Sequence, residues 1–115
     1  LGEELIRASK ALKEVQAALT ADETAVIVVT RPERIVIAET LRLIENLNAR
    51  GIRIGGVIAN YVTPENDDRC DQSMRGYELE ALAALDSPLI IERRASSPMT
   101  ADELRGLVDS MMVNP

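Results

Sequence analysis

The 115-residue sequence contains no histidine, no tryptophan and no phenylalanine, and only one cysteine, Cys70. Without histidine the chain cannot by itself supply a Ser-His or Cys-His nucleophile pair or an imidazole metal ligand. One cysteine excludes an internal disulfide and a self-contained four-cysteine zinc site. Aromatic residues make up 2%, which argues against stacking platforms for single-stranded nucleic acid and against aromatic-lined peptide grooves. Any core has to be aliphatic. No stretch approaches the roughly 18 apolar residues of a membrane span, and no charged-then-apolar signal segment opens the chain. Positive charge is also scarce. Thirteen Lys+Arg face 19 Asp+Glu, a net charge of −6. That is the wrong balance for an affinity built on cations meeting phosphates. A cytoplasmic protein with no nucleic-acid partner is expected.

Apolar residues make up 46%, near the globular average of about 45–50%, so a packed core is expected. Residues 1–20 carry Leu1, Leu5, Ala8, Leu12, Val15 and Leu19 at steps of three and four, the pattern of one apolar helix face. Residues 24–30 form a β-branched run ending Val28-Val29-Thr30. An apolar run of this kind suits a strand covered on both sides in a parallel sheet. Pro32 suits the first turn of a helix. The spacing then predicts a helix over 33–50, with Ile37, Leu41, Ile44 and Leu47 inward and Gly51 as its stop. Residues 54–62 read as a second strand, 63–69 as a polar loop, and 71–85 as a helix with Met74, Tyr77, Leu82 and Leu85 inward. Leu89-Ile90-Ile91 reads as a third strand. Thr100-Ala101-Asp102-Glu103 is a capping-box sequence. It opens a helix whose stripe comprises Leu104, Leu107, Val108, Met111 and Met112.

Strands alternating with helices predict an α/β fold: three layers, with a parallel sheet of about three strands and helices on both faces. So narrow a sheet leaves its edges open unless other strands lie alongside. Because the chain also opens at Leu1 inside a helical pattern, one segment of a larger doubly wound sheet is expected.

Ligands of open parallel sheets bind beyond the carboxyl ends of the strands. Those ends fall at Thr30 to Glu33, Asn60 to Cys70, and Glu92 to Met99. No G-x-x-x-x-G-K-[ST] loop, G-x-G-x-x-G or G-x-S-x-G is present, and Gly55-Gly56 lies inside a strand with no lysine after it.

Two stretches carry a resemblance. The first is Val28-Val29-Thr30-Arg31-Pro32-Glu33, followed by Glu39-Thr40-Leu41-Arg42-Leu43, Gly51-Ile52 and Gly56-Val57-Ile58-Ala59-Asn60. The second is Pro98, then Glu103-Leu104-Arg105-Gly106-Leu107. This succession resembles the C-terminal half of the arsenical pump-driving ATPase (ArsA) family, which includes the ATPases that deliver tail-anchored membrane proteins. The resemblance implies a P-loop NTPase sheet. It implies ATP, as Mg-ATP in the complete protein, as the cofactor, and a dimer or tandem ATPase half and a membrane-protein client as partners. Asn60 matches the family residue that reads adenine, and a carboxamide offers the donor and acceptor that adenine's edge requires. Pro98 and Met99 match the residues flanking the base. The family's phosphate loop, switch aspartates and magnesium ligands lie in the other half. No catalytic residue is therefore expected here, and the segment is expected to be inactive alone. Some relatives share a zinc ion through C-x-x-C. Here the match is Cys70-Asp71-Gln72-Ser73, and no metal site is expected.

Plainer readings stand beside these. Asn60 and Pro98 are also ordinary turn residues. Glu65, Asp67 and Asp68 suit a solvated acidic loop, Arg93-Arg94 a surface pair, and Cys70 an inert thiol. Two other functional classes remain open: a segment of a Min/Par-type ATPase, and a non-catalytic α/β protein-interaction domain.

Overall fold

A computed structural model describes residues 1–113. Its elements in chain order are α1 (Gly2–Leu19), β1 (Val26–Thr30), α2 (Arg34–Ala49), β2 (Ile54–Val62), α3 (Arg69–Leu82), β3 (Leu89–Glu92), α4 (Ala101–Asp109) and β4 (Met112–Val113). The sheet order is β1-β2-β3-β4. β1 pairs parallel with β2, and β2 parallel with β3. The chain is therefore an α/β protein built on an open sheet of three parallel strands, as its sequence pattern predicts. A two-residue antiparallel strand, β4, lies along the outer edge of β3.

The core forms where α2 and α3 cover one face of the sheet. Ile37 from α2 and Leu82 from α3 meet Ala59 and Val62 of β2, Ile90 of β3 and Leu85. Burying a Leu, Ile or Val side chain contributes about 1.5–3 kcal/mol, so this cluster is the main apolar drive for folding. Local signals set the element ends. Gly51 turns the chain out of α2 at φ 74°, a left-handed conformation that glycine adopts without penalty. The Ile52 amide then donates back to the Leu47 carbonyl over 3.0 Å. At α4 the capping box is formed in both directions, with the Glu103 amide donating to Thr100 Oγ1 and the Thr100 amide to the Glu103 carboxylate.

The structure departs from the sequence pattern in several places. Helices were expected on both sheet faces, but α2 and α3 cover only one. On the other, Ile27 and Val29 are 52% and 62% exposed. An apolar run marks a strand as able to be covered on both sides, not as covered within the same chain. α1 is amphipathic as predicted, yet no residue of it is buried. Met74 and Tyr77, whose spacing predicts core positions, are exposed, because they lie on the α3 face turned to the strand ends while Leu82 meets the sheet. α4 stops at Asp109 and β4 begins at Met112. Met111 and Met112 therefore do not extend the helical stripe: strand pairing with β3 takes over where the helical spacing would have continued.

Candidate functional site

The carboxyl ends of β1, β2 and β3 carry the side chains singled out from sequence. Asn60 is exposed near the end of β2. Its Oδ1 accepts the Tyr61 amide at 2.9 Å, and its Nδ2 donates to no protein group among the described residues. A single bond does not exhaust an amide oxygen with two lone pairs, so both the donor and one acceptor position stay available.

The next residue is conformationally unusual. Tyr61 has φ 63°, a region that side chains other than glycine, asparagine and aspartate seldom occupy. The β2–β3 register also breaks between Ala59 and Val62. The Tyr61 ring lies under the Arg31 guanidinium, 4.7 Å from the ring centroid, a cation–π stack. Arg31 is held in turn by Glu33 at 3.1 Å. The β1–α2 loop and the end of β2 are thereby joined beside Asn60. Nothing in the sequence pattern announced this pairing, although a bulky residue directly after a strand-terminal Asn was a place to look.

Asn60 and Pro98 line one cleft of about 320 Å³, together with Tyr61, Ile91, Glu92 and Leu107. Met99 does not line it and is 85% exposed. Its amide is taken by the Glu103 carboxylate. Tyr61 and Arg93 also border a second, more apolar cleft of about 400 Å³, walled by Pro32, Met74 and Tyr77. Both tyrosines of the chain therefore meet at this end of the sheet.

The polar loop after β2 is fastened rather than free. Asp68 caps α3 by accepting the Asp71 amide at 2.9 Å, and Asn66 donates to the Asp71 carboxylate at 2.8 Å. The Thr63 amide donates to Glu78 at 2.9 Å. Of the loop carboxylates, Asp68 has a structural task. Cys70 is exposed in α3. Arg93, read from sequence as one of a surface pair with Arg94, approaches the Asp71 carboxylate at 3.8 Å. Among the described residues, no helix is long and apolar enough to cross a membrane.

This is an α/β protein whose candidate site sits at the carboxyl ends of parallel strands, the position at which such sheets bind ligands. The family model of anion-transporting ATPases matches residues 2–112. The chain belongs to that family. A comparison with curated proteins finds no match.

Proposed function

We propose that this chain forms the adenine side of the ATP site of an anion-transporting-type ATPase, and that phosphate chemistry belongs to a second, phosphate-loop-bearing half. The observation that carries this reading is the meeting of Asn60 and Pro98 in one cleft at the strand ends, in a chain of this family. The residues present suit an adenine ring. Asn60 offers an uncommitted Nδ2 donor and a remaining acceptor position, and Pro98, Ile91 and Leu107 offer apolar surface. ATP, as Mg-ATP, is the proposed cofactor. Met99 flanks the base in this reading only if the ligand extends beyond the cleft toward the start of α4.

The exposed surface supports a missing counterpart. A compact monomer of 12.6 kDa shows about 6,200 Å² of accessible surface, whereas this chain shows 8597 Å². The excess includes the open sheet face at Ile27 and Val29 and the apolar stripe of α1. We assign that face to the phosphate-loop half, within a cytoplasmic homodimer or tandem ATPase. A membrane-protein client is a partner of the complete assembly, and the segment alone does not hydrolyse ATP.

Titration of the ¹⁵N-labelled chain with ATP tests the reading. Shifts are expected at the Asn60 side-chain amide, at Tyr61 and at the Ser97 and Met99 amides, with no release of phosphate. Shifts confined to other elements, or turnover by the chain alone, would overturn it. An interaction domain of the kind left open by the sequence would give no response to the base.

A further inference from the structure

We propose that Arg75 is a positioning residue that sets the separation between the two walls of the Asn60–Pro98 cleft. This inference rests on the nucleotide reading above and adds to it a residue that lies outside the cleft. Arg75 is on α3, and its side chain is only 14% exposed. One guanidinium nitrogen, Nη1, donates to the Thr63 carbonyl at 2.6 Å and to Glu92 Oε2 at 2.8 Å. The same Glu92 oxygen accepts the Glu65 amide at 3.1 Å. One cation therefore ties together α3, the loop that follows Asn60, and the last residue of β3.

The consequence follows from chain order. Asn60 is on one wall, and Thr63, buried behind the cleft, follows it by three residues. Glu92 lines the cleft itself, and from it the chain runs through Arg93 and Arg94 to Pro98 on the other wall. The two N–H groups of one nitrogen lie in the guanidinium plane, so a head with little room to move holds a fixed angle between its two acceptors. The register of the two strands has a separate support, since the Arg93 amide donates to the Val62 carbonyl at 2.7 Å. Loss of Arg75 should therefore leave the sheet paired and release the loops. A base is told from another base by paired donors and acceptors held at fixed spacing, worth about tenfold per bidentate contact. A loosened wall loses that discrimination before it loses the fold.

The test compares ATP with GTP by ¹⁵N shift titration of the full chain, and amide exchange over residues 60–66 and 92–99. In the unsubstituted chain ATP is expected to bind about tenfold more tightly than GTP. In Arg75→Met the ratio falls toward one and exchange rises in those two segments, while the amides of β1 and α2 keep their protection. Arg75→Lys retains the charge but carries it on a flexible stem without the rigid planar head, and restores only part of the ratio. The double variant Arg75→Met/Glu92→Gln removes the carboxylate left unpaired. It repeats the loss of discrimination even if the single variant folds poorly. Adenine preference that survives in both Met variants overturns the proposal and leaves the nucleotide reading standing. No adenine preference in the unsubstituted chain overturns the reading, and this proposal with it.

Discussion

Thr30 Oγ1 and Thr40 Oγ1 lie 2.6 Å apart, at the end of β1 and in the second turn of α2. Both residues are buried, at 2% and 6% exposure. A hydroxyl has one proton to give. Thr40 gives its own to the Val36 carbonyl at 2.8 Å, so Thr30 donates to Thr40 rather than to the Arg31 carbonyl at 3.4 Å. The relay fixes the start of α2 over the end of β1, and with it the loop carrying Arg31 and Glu33. Thr40→Val keeps the volume and removes Thr30's good acceptor. A loss of about 1–3 kcal/mol is expected, read as a lower urea midpoint with an unchanged slope. Thr30→Val/Thr40→Val leaves no orphaned hydroxyl and should be more stable than Thr40→Val alone. A double variant that is less stable would show that the relay is not the cause.

Asn60→Asp separates binding from folding. The carboxylate can still accept the Tyr61 amide, but it cannot donate to a base. Stability is expected to change by about 0.5 kcal/mol or less, as at most surface sites, while ATP-dependent shifts disappear. Retained shifts would return Asn60 to a plain turn role.

Tyr61→Asn sets two small terms against each other. A left-handed tyrosine costs roughly 1–2 kcal/mol that asparagine largely avoids. The exposed Arg31 stack contributes about 0.5–1 kcal/mol and is lost. The variant should be between neutral and about 1.5 kcal/mol more stable. A destabilisation beyond about 2 kcal/mol would mean that the ring packs more than its 49% exposure implies.

Thr100→Ala removes the cap from α4 and should cost about 1 kcal/mol. Because α4 buries none of its residues, the loss should show as faster amide exchange at Glu103 and Leu104. Protection in β1 and β2 should be unchanged.

Leu82→Ala opens a cavity in the centre of the cluster, where Leu82 is 0% exposed. A cost of about 2–5 kcal/mol is expected. The chain has little core to spare, so the folded population should fall measurably at room temperature.

Much of the architecture was legible along the chain. The limits of β2 follow from its apolar residues, set between Arg53 and the polar loop that opens at Thr63. The α4 start follows from Thr100 and Glu103, and the α2 stop from Gly51. These are local matters: hydrogen bonds and backbone preferences within four residues of one another. Burial was less legible. Met74 and Tyr77 have helical spacing with Leu82, but spacing gives a face, not the object it faces.

The sequence by itself determined the alternation of helix and strand, the parallel sheet that alternation demands, and the gathering of polar residues at the strand ends. Periodicity and capping encode each of these within short windows of chain. Only the tertiary structure decided that Asn60 and Pro98 share a cleft while Met99 stands outside it. It alone joined Arg31 to Tyr61 and Arg75 to Glu92, and left one sheet face and all of α1 uncovered. Those outcomes depend on how distant segments fill space against one another, and no local pattern of side chains records that.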